Sequence, residues 1–129
     1  GFASLSPAQL GDLPPVSCVI GPSYEAFLRR VYGAHGTAHS GGDDGFARFC
    51  EAQVLWDAAM SFYAAQYLKE RPGTLLAVLA GSVHAWKPAM PARLEAARAG
   101  LRQVVILPRE AGAEQLGPED ADYLVHFSR

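Results

Sequence analysis

The residues most able to do chemistry lie in LLAVLAGSVHAWKPAMPARL, residues 75–94, between an apolar run and a proline-rich turn. Gly81 follows the apolar run, and His84 and Lys87 come shortly after it. An imidazole can ligate a metal or move a proton, and an ammonium can bind an anionic group. His84 and Lys87 are therefore candidate binding residues. The alternative is that His84 is a loop histidine that faces solvent and has no binding role.

A second polar pair interrupts a long predicted helix. Steps of three or four residues from Phe46 to Leu68 give one apolar face that contains Gln53 and Asp57, one turn apart. A buried carboxylate is costly unless it has a partner. Either the pair is a structural staple, or Asp57 orients His84 or another ligand. The bulky residues elsewhere on this helix predict that most of its surface is covered: Trp56, Phe62 and Tyr63.

Tyr24 and His35 form a third candidate pair, on the first predicted helix. They are eleven residues apart, about three turns, and so face roughly the same way. Phenolate and imidazole are both known axial ligands of haem iron. The simpler alternative is an amphipathic helix with one buried tyrosine.

Bulk properties exclude several classes of protein. The chain has 129 residues, is half apolar and carries a net charge of −2, which is typical of one soluble domain without the basic excess of a nucleic-acid-binding protein. No apolar run is long enough for a membrane span, and GFASLSPAQL carries no signal-peptide pattern.

Cys18 and Cys50 are predicted to be buried thiols, which leaves the cellular compartment open. The sequence contains no G-x-S-x-G, H-E-x-x-H or glycine-rich phosphate loop.

The order of elements predicts an α/β fold. Residues 1–42 read as a loop and a first helix, 43–72 as a long helix, and 73–129 as a strand–helix–strand unit with a last strand. The sheet is expected to be small, mostly parallel and of about three strands, with two helices N-terminal to it and one crossover helix. Its predicted strands are TLLAVLA, QVVILP and ADYLVHF. Ligands of parallel sheets bind beyond the carboxyl ends of the strands, which would place residues 81–90 in a crevice, with Gly81 making a sharp turn.

These motifs together resemble those of the ChaN-like family, the cofacial haem-binding proteins of bacterial iron uptake. The shared pattern is a Q-x-x-x-D-x-x-M helix, an apolar strand ending in G-x-x-H, and a proline and an arginine that open a helix. LSPAQLGDLPP, YEAFLRRVYGAH and DADYLV are similar as well, so the likeness spans nearly the whole chain. The loop AWKPAM departs from the family's glycine-containing turn. The positions that carry the pattern are Gln53, Asp57, Met60, Gly81, His84, Pro91 and Arg93.

The family's domain begins earlier, with a strand and a segment containing glutamate and histidine, so this chain resembles its C-terminal half. The resemblance implies a homo-oligomer or a separate N-terminal half that completes the sheet, since edge strands with unpaired backbone groups favour association. It also implies a place in the bacterial cell envelope or periplasm, often as a lipoprotein whose lipid anchor lies outside this sequence.

The resemblance further implies haem as the bound group. Tyr24 is the first candidate for the iron ligand, with Tyr32 and Tyr63 left open, and Gln53 and Asp57 support the site. Two alternatives remain: a remnant of the wider esterase and metalloprotease superfamily that uses His84 and Asp57, or a scaffold without a site of its own. The other expected pocket residues are His35 and His84 as ligands or propionate partners, Lys87 and Arg93 for the propionates, and Trp86 and Met90 for the macrocycle.

Overall fold

The computed structural model describes residues 5–11, 20–34, 42–109 and 116–127. The chain divides into two compact units, 1–59 and 60–129, and the longest helix contributes residues to both. Within the described ranges the fold is mixed α/β, as expected. The elements are α1 (Pro7–Gly11), α2 (Pro22–Ala34), α3 (Gly42–Glu70), α4 (Ser82–Ala85), α5 (Met90–Ala97), β1 (Ile106–Pro108) and β2 (Tyr123–Val125).

The first unit is built on the packing of α2 against the first part of α3. Leu28 on α2 and Val54 on α3 are fully buried. The ring of Tyr32 contacts Phe46, with 5.9 Å between centroids, and the guanidinium of Arg29 lies 4.0 Å from the centre of the Phe46 ring. Burial of apolar side chains is the main favourable term in such packing, so this contact orders both helices.

The buried side of α3 follows the predicted 3.6-residue period. Phe46, Ala64 and Leu68 are buried, and Cys50 is a buried thiol as predicted, while Cys18 lies outside the described residues. The prediction that most of this helix is covered is wrong. Trp56, Phe62 and Tyr63 are 62%, 48% and 61% exposed, because they lie on the side of the helix away from the buried Phe46, Ala64 and Leu68.

The second unit has a small core around the last turns of α3 and the start of α5. Ala64, Met90 and Leu94 are buried together, and Ser61 Oγ donates a 2.9 Å hydrogen bond to the Met90 carbonyl oxygen. Pro91 lies in the first turn of α5, where its missing N–H costs no helical hydrogen bond. The helix expected to start near residue 91 is therefore present, but it does not cross over between two strands, because residues 74–80 form none.

The sheet of this unit is parallel, but it is smaller than expected. β1 pairs with β2 in parallel, with Ile106 opposite Tyr123, so strands form within two of the three predicted segments. The third predicted strand is wrong, because residues 74–80 form no strand. Leu75 is 90% exposed and Leu79 is fully exposed. A strand needs a hydrogen-bonded neighbour, and the described residues supply none for this segment.

The side chains on the two faces of the sheet differ in how far they are buried. Val105 and Leu107 are buried on one face, whereas successive apolar side chains on the other face remain exposed. Parallel sheets normally have both faces covered, so this outer face is apolar surface of the kind that partners cover. Its residues, here called the outer sheet face, are Val104, Ile106, Tyr123, Val125 and Phe127, which are 40% to 75% exposed.

Candidate functional site

Tyr24 and Asp57 form a buried pair between α2 and α3. Tyr24 Oη donates a hydrogen bond of 2.5 Å to Asp57 Oδ2, and the two residues are 3% and 0% exposed. This hydrogen bond gives the buried Asp57 carboxylate a donor, without which its burial would cost free energy of folding. Both residues were predicted to matter, but the sequence did not predict that they pair with each other.

His84 lies on the short helix α4 and is half-buried. Its backbone N–H donates a 2.9 Å hydrogen bond to the Gly81 carbonyl oxygen. Gly81, expected to make a sharp turn, has a φ of −58° and a ψ of 147°, which are open to any residue, so its conformation does not require glycine. Asp57 belongs to the first unit and His84 to the second, so the orienting role of Asp57 stays a prediction.

Trp86 and Lys87 hold the segment that leads into β2. Trp86 Nε1 donates a 2.7 Å hydrogen bond to Asp120 Oδ1, and both residues are buried. Lys87 Nζ lies 2.6 Å from Asp122 Oδ1 and also donates to the Pro118 carbonyl oxygen. The ammonium predicted to meet a propionate is therefore already engaged with a carboxylate of its own chain. We call these contacts the Trp86–Lys87 clamp.

The clamp changes the acidity of Asp122. The hydrogen bond from Lys87 holds the pKa of the Asp122 carboxyl below its ordinary value. A hydrogen bond from the Val105 backbone N–H, 2.7 Å from Asp122 Oδ2, acts in the same direction. Both donors favour the ionised form, as hydrogen bonds to a carboxylate do. The partners of Asp122 lie 17 and 35 residues away, which is why no local pattern revealed them.

The remaining predicted site residues occupy different surroundings. Met90 is 5% exposed within the core of the second unit, so its thioether is used for packing. Arg93 on α5 and Gln53 on α3 are half-buried. His35 lies outside the described residues, so its predicted role as a ligand is untested.

An exposed group of aromatic side chains lies near the end of α3. The rings of Phe62 and Tyr63 meet edge to face, with 5.4 Å between centroids. Tyr67 is one turn beyond Tyr63 and is 38% exposed, and the guanidinium of Arg71 lies 4.4 Å from the centre of its ring. We call Phe62, Tyr63, Tyr67 and Arg71 the aromatic row. The sequence pattern missed it, because these aromatic residues were expected to be covered.

In the part of the chain that the structure describes, no three histidine, cysteine, aspartate or glutamate side chains come together as a metal site. Nor does any described helix combine the length and the apolar character needed to cross a bilayer. A cleft of about 280 Å³ is formed by residues around the entry to β2, which is below the usual size of small-molecule pockets. Its lining comprises Leu116, Gly117, Pro118, Ala121, Asp122 and Leu124.

Comparison with models of known protein families identifies the family to which this chain belongs. A family model described as "Haem-binding uptake, Tiki superfamily, ChaN" matches residues 1–94, nearly three quarters of the chain. The chain belongs to this family. The match contains Gln53, Asp57, His84 and Arg93, so the resemblance stated from the sequence is confirmed.

The likeness suggested for DADYLV near the C-terminus lies beyond the matched residues of this ChaN-family chain. No curated protein and no solved structure matches this chain significantly. The family is described as haem-binding and as acting in uptake.

Proposed function

We propose that this chain binds haem as the cargo of bacterial iron or haem uptake, at the cell envelope or in the periplasm. The observation that carries the proposal is its membership of a family described as haem-binding, over residues 1–94. Haem supplies the iron that such an uptake system acquires. What the chain must supply is an iron ligand, apolar surface for the macrocycle and cations for the propionates.

The described residues offer groups of each required type. Tyrosine oxygen can ligate ferric haem, and five tyrosines lie in the described ranges. His84 and Arg93 are half-buried, and we propose that they contribute an imidazole and a guanidinium to the site. Tyr24 can serve as the ligand only if its hydrogen bond to Asp57 opens, since its side chain is 3% exposed.

We further propose that the functional form contains more than one polypeptide, either a second copy or a separate N-terminal half of the domain. The outer sheet face supports this proposal, because five apolar side chains exposed on one small sheet favour association. Light scattering across a concentration series measures the mass of the assembly. A single chain mass at every concentration, with or without haem, would count against a second copy.

The test of haem binding is a titration of the chain with ferric haemin, followed by absorbance. We expect saturation at a fixed stoichiometry and a spectrum typical of phenolate or imidazole ligation. His84→Ala and Arg93→Gln should each weaken binding if these side chains contribute. Uptake that rises without saturation, and that a heat-unfolded sample reproduces, would contradict the proposal. Cell fractionation and immunodetection of the native protein test the envelope location separately.

A further inference from the structure

We infer that residues 74–80 bind a second copy of this chain by antiparallel strand pairing, with Ala77 on the two-fold axis. This inference rests on the proposed association of polypeptides and deepens it, because it names the partner and the segment that meets it. Two observations carry it. The backbone of the segment is open to hydrogen bonding, and its sequence is nearly the same in both directions.

The segment TLLAVLA is fixed at both ends but open along its length. The Thr74 N–H donates a 3.3 Å hydrogen bond to the Arg71 carbonyl oxygen, and the Gly81 carbonyl oxygen accepts the bonds that begin α4. Between these points the backbone of residues 75–80 makes no hydrogen bond within the part of the chain that the structure describes, and it forms neither helix nor turn. A row of open N–H and C=O groups is a template for another strand. The segment also lacks the charges and prolines that usually prevent such pairing.

The side chains of the segment alternate in exposure as those of a strand do. Leu76 is half-buried against the core of the second unit, and Val78 is 46% exposed. Leu75 and Leu79 are 90% and 100% exposed, and Ala77 between them is exposed as well. Residues two apart on a strand share a face, so these three form one apolar stripe that faces away from the core.

The sequence of the segment is close to a palindrome about Ala77. One step out lie Leu76 and Val78, and two steps out lie Leu75 and Leu79. Antiparallel pairing about this centre places Leu75 of each chain opposite Leu79 of the other, where directly opposed side chains contact. The two most exposed apolar side chains of the described residues thus cover each other. A two-fold interface requires a surface that fits itself, so this symmetry favours a second copy over a strand of different sequence.

The size of the pairing predicts how strong it is. A seven-residue strand is about 24 Å long, and antiparallel pairing over that length forms about six to eight backbone hydrogen bonds. The area belongs to the class of weak, reversible interfaces, which bury less than about 1,200 Å² in total. We therefore expect an equilibrium between monomer and dimer that shifts on dilution through about the micromolar range.

The first experiment measures the dimer dissociation constant by analytical ultracentrifugation. Leu79→Asp places a charge opposite the apolar Leu75 of the other chain and should raise the dissociation constant by about tenfold or more. Because Leu79 is fully exposed, the unfolding midpoint of this variant should match that of the wild type at concentrations where both are monomers. That comparison separates lost pairing from misfolding.

Mixtures of variants test which residues lie opposite each other. A chain with Leu75→Lys and a chain with Leu79→Asp should form a mixed dimer about tenfold or more tighter than either forms alone, since one opposed pair becomes lysine with aspartate and the other stays leucine with leucine. The matched control mixes Leu79→Lys with Leu79→Asp, which carry the same opposite charges. In the inferred register these two side chains lie about 14 Å apart, so the control mixture should show no such gain.

A disulfide tests the symmetry axis. Under mild oxidation Ala77→Cys should cross-link two chains at residue 77, as peptide mass spectrometry identifies. Leu75→Cys should not, because its two copies lie about 14 Å apart and a disulfide needs Cα atoms within about 7 Å. Cross-linking of both variants would indicate parallel pairing and would overturn the inference.

The outcomes distinguish this inference from the proposals on which it rests. A wild-type dimer that Leu79→Asp leaves unchanged overturns the pairing at residues 74–80 but leaves association through another surface standing. A wild-type chain of single mass at every concentration overturns both the pairing and the second copy. Neither result bears on haemin binding, which the absorbance titration measures separately.

Discussion

Asp120 is the side chain on which the Trp86–Lys87 clamp most depends, and its replacement gives a quantitative test of the structure. One carboxylate oxygen accepts from Trp86 Nε1 at 2.7 Å, and the other accepts from the Gly117 backbone N–H at 2.7 Å. Asparagine has the same shape but only one acceptor oxygen. In Asp120→Asn an amide N–H₂ group must therefore face one of these two donors.

The expected cost follows from these two bonds. One hydrogen bond to a charged group is lost, worth about 1.5–3 kcal/mol, and the surviving bond becomes a weaker neutral one, for about 1 kcal/mol more. Asp120→Asn should thus lower the free energy of unfolding by about 2.5–4 kcal/mol. Asp120 is 8% exposed, so water is poorly placed to replace the missing acceptor.

The structure also provides the assay. Trp86 is 6% exposed and Trp56 is 62% exposed, so a Trp56→Phe background leaves one buried indole whose fluorescence reports on the clamp. Denaturant unfolding in this background gives the free energy from the emission of Trp86. Glu119→Gln is the control, because it makes the same charge change at an exposed neighbour and should stay within about 0.5 kcal/mol of the parent. A value for Asp120→Asn within that same range would refute the reasoning.

Three further predictions concern other contacts. Tyr24→Phe should destabilise the chain by about 1.5–3 kcal/mol through loss of the hydrogen bond to Asp57, and the loss should shrink when Asp57→Asn is already present, as a double-mutant cycle measures. Folding lowers the pKa of Asp122, so the stability that its ionised carboxyl contributes is complete above its unfolded pKa and is lost as pH falls through the lower folded pKa. In a plot of the unfolding midpoint against pH, Asp122→Asn should therefore flatten the fall at acid pH. Met90→Ala should cost about 2–5 kcal/mol in denaturant unfolding, and a cost below 1 kcal/mol would contradict its place in the core.

The sequence was a good guide to helices and a poor guide to long-range contacts. The predicted first helix and the long helix at 43–72 correspond to α2 and α3, because the signals for a helix lie within a few residues of it. Tyr24 and Asp57 are 33 residues apart, and Trp86 and Asp120 are 34 apart. No local pattern states which of several polar residues on a helix face will meet, so these pairs came only with the structure.

Residues 74–80 show the limit of pattern reasoning most clearly. A short apolar run is typical of a strand buried on both faces, and that expectation failed for Leu75 and Leu79. Hydropathy reports what a segment prefers to contact, not whether the contact is supplied. The same reasoning failed for Tyr63, whose apolar neighbours in the sequence suggested cover that the packing does not provide.

The outer sheet face has a consequence for heat stability. When a folded chain associates through apolar surface, mass action couples folding to concentration, so the melting temperature rises as more protein is present. Val104, Ile106 and Phe127, at 66%, 58% and 75% exposure, are the side chains with most surface to lose in such association. If this chain associates through the outer sheet face as proposed, its melting temperature should rise with protein concentration, and dilution alone should lower it.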